Sequence, residues 1–276
     1  MRRLAHMLVL TAPLLVAGCG ASQSKPTAQD DAAWDQAMMA GRDSFELGRY
    51  TVAVSQYRKA ANLAIVRDDG TAVAEAGYDL AVSQLAANTP DDALKTTQAT
   101  RQAVQLRGAQ DMSSLDLVEA ASHYRLGHYA QAIPLAQQAM RSADTGVAAR
   151  AALVLGLAAD AQGDQSALQA AGVYLSGLKQ PLSVAQQADR AEIQARVLRH
   201  SNPALAEQQA EEAANLRQGE AAYHDMARAL ALAARIAASQ GDQAKAHALW
   251  ARAAQSAAAQ SGSLNRMDAQ TLVHGS

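Results

Sequence analysis

Seven histidines and one cysteine are the side chains of this chain best suited to hold a metal ion or attack a carbonyl. Their spacing does not serve either chemistry. The histidines are His6, His123, His128, His200, His224, His247 and His274. No two stand three or four apart, the separation that puts two ligands on one helix face, and no His-Glu-x-x-His occurs. Glu119 and His123 are four apart and share a helix face; their plain reading is an exposed polar pair. The lone thiol, Cys19, excludes an internal disulfide and a zinc site built on several thiolates.

The acids offer no better constellation. Asp68-Asp69-Gly70 has the composition of a turn, and Asp91-Asp92 suits the first turn of a helix, where the helix dipole favours carboxylates. A glycosidase needs two carboxyls converging on a cleft, and nothing makes these converge. There is no Gly-x-Ser-x-Gly elbow and no glycine loop to cradle phosphate. Catalysis, a metal and a cofactor are therefore not expected. The net charge of −2 excludes a strongly basic nucleic-acid-binding face.

The elements that must carry any site are helical. Hydrophobic residues make up 49% of the 276 residues but aromatics only 4%, and alanine supplies much of the rest. Alanine has the highest helix propensity and lets helices approach closely, whereas strand formers are scarce. One pattern then repeats along the chain. Gly41, Gly48, Tyr50, Ala53, Tyr57 and Ala60 stand at the same spacings as Ala120, Gly127, Tyr129, Ala132, Ala136 and Ala139. The frame recurs from Gly156 through Gly163 and from Ala234 through Gly241. Two weaker copies run from Ala81 through Asn88 and from Gln194 through Ser201. The turn positions 48, 88, 127, 163, 201 and 241 lie 36 to 40 apart.

These segments resemble tetratricopeptide (TPR) repeats. In that family a small residue on the first helix of a pair sits against the second, and a turn glycine joins them. The usual period is about 34, so these pairs run slightly long. The resemblance implies an all-α, TPR-like α-solenoid of about six antiparallel helix pairs over residues 31–260. Twelve helices are expected, near 31–47, 51–67, 71–86, 90–107, 112–126, 130–143, 147–162, 164–178, 182–199, 203–217, 220–240 and 242–260. Thr89-Pro90 and Asn202-Pro203 place a capping side chain before a proline at the first helical position, and Asp164 and Asp242 can cap the helices after their glycines. Trp250 falls at a repeat-core position, and Trp34 is either a cap or a contact. Residues 261–276 form either a short cap over the last repeat or a frayed tail.

The N-terminus reads as an address. Met1-Arg2-Arg3 is basic, Leu4 to Ala17 is mostly apolar, and Ala17 and Gly18 precede Cys19. That order belongs to a secretory signal, and the apolar run is too short to span a bilayer. Leu15-Val16-Ala17-Gly18-Cys19 resembles the bacterial lipobox, which implies a signal peptide over 1–18, cleavage before Cys19 and acylation of its thiol. Several acyl chains anchor a protein stably. Gly20 after the cysteine implies, by the same resemblance, the outer membrane with the body facing the periplasm. Residues 19–30 then hold the lipidated cysteine and a polar, flexible tether.

A stack of helix pairs has a concave face lined mainly by its first helices, and such faces bind segments of other proteins. The TPR register puts Tyr78, Tyr124, Arg125, Arg150, Arg228 and Arg235 on that face, with Arg42, Asp79 and Arg199 beside them. Arginine forks suit carboxylates, so the expected partner is an envelope protein or peptide segment, an acidic one among the candidates. The plainer reading is that these arginines are solvated or paired with neighbouring acids. Lipoproteins with such repeats act in pilus or secretin assembly and in recruiting cell-wall enzymes. If the lipobox were false, the chain would be a cytoplasmic adaptor; an enzyme with an unrecognised site is the remaining alternative.

Overall fold

The computed structural model describes residues 28–261, apart from 109–111 and 221. Cys19, the apolar leader, most of the tether and residues 262–276 lie outside the described residues. Within them the chain forms twelve helices and no strand. They are α1 (Ala28–Glu46), α2 (Tyr50–Val66), α3 (Gly70–Ala86), α4 (Pro90–Gln105), α5 (Ser113–Arg125), α6 (Tyr129–Ala139), α7 (Thr145–Gln162), α8 (Gln165–Ser176), α9 (Val184–Leu198), α10 (Pro203–Gly219), α11 (Tyr223–Ser239) and α12 (Gln243–Ser261). None is long and apolar enough to cross a membrane.

Local chemistry accounts for the helix ends. Gly163 closes α7 at φ 81°, a left-handed conformation that costs glycine nothing. Asn88 stands at the glycine position of its repeat and takes φ 61°, which asparagine tolerates better than most residues. Asp164, Asn202 and Asp242 cap as expected, accepting from the backbone N–H of Ala167, Leu205 and Lys245 at 3.0, 3.2 and 2.9 Å. Thr89 does not cap. Its hydroxyl donates back to the Gln84 carbonyl at 3.1 Å, and Pro90 at the first position starts α4 instead. Helix α6 stops at Ala139 rather than 143, because Arg141 and Ser142 bond the carbonyls of Gln138 and Ala139 and tighten the chain into three-residue turns. Helix α9 starts at Val184 rather than 182. Ser183 caps it, accepting from Gln186 N–H at 3.2 Å while the Gln186 side chain accepts from Ser183 N–H at 3.1 Å.

Every helix packs on the one before and the one after, and first helices of successive pairs touch as α3–α5, α5–α7 and α7–α9. Small residues make this possible. Ala53, Ala60, Ala120, Ala136, Ala210 and Ala234 are fully buried. A methyl group added at Gly156 would lie 3.2 Å from the Cβ of Ala171 on α8 and 2.6 Å from Ile193 on α9. The small residue of the repeat frame thus serves both its own pair and the next. Trp34 is half-buried between the first two pairs, 5.8 Å beneath the Arg67 guanidinium, and Trp250 packs on the last cluster.

Candidate functional site: a concave groove

Four first helices each turn one stripe inward. On α3 it is Tyr78, Val82 and Leu85; on α5, Leu117, Ala121 and Tyr124; on α7, Arg150, Val154 and Leu157; on α11, Asp225 and Arg228. Steps of four and three residues keep such a stripe on one helix face. Together with Val118, Arg125, Leu153 and His224 these side chains enclose a cleft of about 250 Å³. Its floor is aliphatic, and its rim carries the tyrosine hydroxyls and the guanidiniums. Clefts that enclose a drug-sized molecule run from roughly 300 to 1,000 Å³, so this one suits a side chain or two of a longer chain better than a whole cofactor.

Five of the six expected binding residues, Tyr78, Tyr124, Arg125, Arg150 and Arg228, line this cleft. Arg235 lies two helical turns past Arg228 on α11, on the same side of the helix and exposed. The curvature that brings these residues together is direct. Arg150 on α7 reaches over α9 and meets Asp225 on α11 at 3.4 Å.

Beneath the rim runs a network of ions. Glu192 on α9 accepts a two-pronged fork from Arg228, at 2.7 and 2.8 Å, and a third bond from Arg196 at 2.8 Å. Arg196 also binds Asp160 of α7 at 2.6 Å, and Asp160 takes Arg199 at 2.7 Å. Asp189 accepts from Arg150 at 2.9 and 3.2 Å and pairs with Arg217 of α10. Asp225 takes Arg228 at 2.7 Å and lies 3.9 Å from Arg217. Glu220, at the edge, is 3.7 Å from Arg217. The fourth, fifth and sixth pairs are therefore tied by five guanidiniums and five carboxylates, several of them buried. The inner-face residues Arg150, Arg199 and Arg228 are all paired with neighbouring acids.

The electrostatics follow from this pairing. Burial alone would raise the Glu192 carboxyl, but Arg228 and then Arg196 hold it down at about 2. Asp225 is likewise opposed by burial and pulled well below its ordinary value, chiefly by Arg228. Arg125 differs. Burial, then the nearby Arg228 guanidinium, push it below its ordinary value. Its recorded bond is to a neutral group, the Asn88 side-chain oxygen, at 2.8 Å.

Sequence reasoning did not name Asp160, Asp189, Glu192, Arg196, Arg217 or Asp225 as site residues. A signal was present: Asp189, Glu192, Arg196 and Arg199 are spaced three, four and three, a charged stripe along one helix. The Glu119–His123 pair is not the exposed pair expected. The Glu119 side chain is 12% exposed and binds Arg101 at 2.7 Å, with Asp116 held by the same guanidinium at 2.6 Å. The His123 ring lies 5.7 Å from that of His128, tilted by 49°, and burial lowers its pKa. Among the described residues no three of His, Cys, Asp and Glu gather as a metal site.

Comparison with solved structures agrees on the fold. A tetratricopeptide repeat protein from Parabacteroides merdae ATCC 43184 superposes with a TM-score of 0.51 at 12% identity, over 88% of this chain and 98% of that one. The TPR2AB domain of yeast Sti1, in complex with pHSP90, matches over the same shares at 15% identity, with a TM-score of 0.36 that adds nothing to the argument. No family model matches the chain, and no curated protein matches it. The fold is a TPR-like α-solenoid.

Proposed function

We propose that this chain is a lipid-anchored, periplasm-facing scaffold that holds a segment of an envelope protein in its concave groove. The observation that carries the binding reading is the cleft itself. An aliphatic floor with a guanidinium and phenol rim, built by helices from four different pairs, is the composition of a peptide-binding surface. The anchoring reading rests on the sequence of the leader and on Leu15-Val16-Ala17-Gly18-Cys19. Pilus or secretin assembly and recruitment of cell-wall enzymes are the processes such an anchored scaffold serves by resemblance.

A photocrosslinking amino acid placed at Leu117 or Val154 in intact cells tests the groove. Both positions should give a discrete adduct with one partner. The same probe at Val173, an exposed residue on the second helix α8, should give none. Equal adducts from Val173 and the groove positions would remove the groove from the reading.

A further inference from the structure

The two most exposed large apolar side chains among the described residues, Val66 at 84% and Leu106 at 86%, stand at the C-terminal ends of α2 and α4. They share one edge of the solenoid. Arg107, next to Leu106, binds Asp68, two residues past Val66, at 2.8 Å. The Arg107 side chain also lies 3.1 Å from where a methyl group on Gly70 would sit, at the start of α3. Ile65, 49% exposed, adjoins Val66 on α2. The tether leaves from the same edge. The Arg67 guanidinium lies 5.8 Å over Trp34, in the second turn of α1, so α1 begins where α2 ends. Cys19 is nine residues before Ala28, the first residue of α1. Nine residues span at most about 30 Å, so an acylated Cys19 keeps this edge within that reach of the bilayer. The ions beside the patch are matched, Arg67 with Asp69 at 3.5 Å and Arg107 with Asp68. Paired charges cost less against a hydrocarbon boundary than a lone ion, and they leave headgroup charge little to select.

We infer that Ile65, Val66 and Leu106 form a membrane-contact edge, the three aliphatic side chains entering the boundary between headgroups and acyl chains. This rests on the anchoring reading and adds an orientation to it. The acyl chains hold the protein, and the edge seats the first two helix pairs with the ends of α2 and α4 toward lipid. Leu47, 67% exposed, belongs to the turn at the other end of α2, about 25 Å along the helix, and faces away from the bilayer.

The test places a diazirine amino acid at Val66, at Leu106 or, as the control, at Leu47. The full chain is coupled through its Cys19 thiol to a maleimide-bearing lipid in phosphatidylcholine vesicles and irradiated. Mass spectrometry should find phospholipid adducts at positions 66 and 106 and none at 47. With the probe at 66, Leu106→Glu should lower the adduct yield at least about tenfold, because a carboxylate resists entering the boundary. Circular dichroism and the melting temperature of that variant should match the parent, since Leu106 is exposed. Vesicles rich in phosphatidylglycerol should give the same yields; adducts formed only with the anionic lipid would overturn contact through apolar side chains. Equal yields at 47 and 66 would overturn the edge. In intact cells the probes at 66 and 106 should again trap phospholipid, and a protein adduct in its place would overturn the lipid as occupant. Palmitate labelling of Cys19 reads the anchor separately. Adducts in vesicles without labelling in cells would remove the anchor and keep the edge, whereas labelling without adducts at 66 and 106 would overturn the edge alone.

Discussion

Arg228 on α11 and Glu192 on α9 meet as a two-pronged fork, Nε to Oε1 at 2.7 Å and Nη2 to Oε2 at 2.8 Å. The contact joins the fifth and sixth pairs beneath the groove, and the Glu192 side chain has no solvent exposure. Its attraction offsets the desolvation because both oxygens are bonded and a second guanidinium, Arg196, donates to Oε1 as well.

Glu192→Gln should therefore remove the carboxylate that Arg196 and Arg228 share, leaving them only Asp160 and Asp225, and destabilise the chain by about 3 kcal/mol in urea unfolding. The pH dependence has a definite sign. The folded value of about 2 lies below the ordinary 4.5, so Glu192 contributes fully above 4.5 and its contribution fades as pH falls toward 2. The parent should lose more stability across that window than the Gln variant. A loss of under about 1 kcal/mol for the variant would show that the fork is not formed.

Gly77 and Thr100 test the register of the second pair. A methyl group on Gly77 would lie 2.9 Å from the Thr100 Cβ, a branched atom that cannot swing away. Gly77→Ala should cost about 1–3 kcal/mol, although alanine is the better helix former. Gly219→Ala, where nothing lies within 4 Å, should be neutral or stabilising. Chemical denaturation of the two variants separates the outcomes; equal effects would mean that α3 and α4 do not meet at Gly77.

The same argument extends to Ala234, which is fully buried on α11. Ala234→Leu should overpack the last pair by about 1–3 kcal/mol, whereas Ala244→Leu, at an exposed position on α12, should stay within about 0.5 kcal/mol. Melting temperatures of the two variants that coincide would defeat the alignment of this repeat.

Asp79 on α3 carries a raised pKa of about 6, from burial and then from Glu75. Its ordinary value is 3.8, so between 3.8 and about 6 the folded chain holds more protons than the unfolded one. Stability should fall as pH rises through that window and level off above it. Asp79→Asn should stabilise the chain near neutral pH by on the order of 1 kcal/mol after solvent screening, and the gain should vanish below about pH 4. A constant difference between the two proteins across this range would assign the gain to packing instead.

Anchoring is tested at Cys19. Cys19→Ser should abolish palmitate labelling and move the protein from the membrane fraction to the soluble one, because the acyl chains alone hold it. A variant still sedimenting with membranes in high salt would place the attachment elsewhere in the chain.

The helices and their pairing were legible in the sequence because they depend on short-range chemistry. Gly48, Gly127, Gly163 and Gly241 each take a positive φ where the repeat frame demands a turn, and Asn88 does so in their stead. The alanines of the frame are buried because a solenoid repeats the same contact with each neighbour, so a period in the sequence is also a period in space. The resemblance to TPR repeats supplied the inward face of the first helices, because a shared register carries a face from one repeat to the next. It could not show how far the stack curves. Curvature accumulates from small rotations between pairs, and no single residue encodes it. That curvature brings Arg150 within reach of Asp225, seventy-five residues away. It also decides which acids the inner arginines Arg150 and Arg228 meet. From the sequence, Arg125, Arg150, Arg228 and Arg235 are alike; only the tertiary structure shows that Arg150 and Arg228 form ion pairs with Asp189, Asp225 and Glu192 while Arg125 bonds the Asn88 side chain, because pairing depends on ångström distances between helices far apart in the chain.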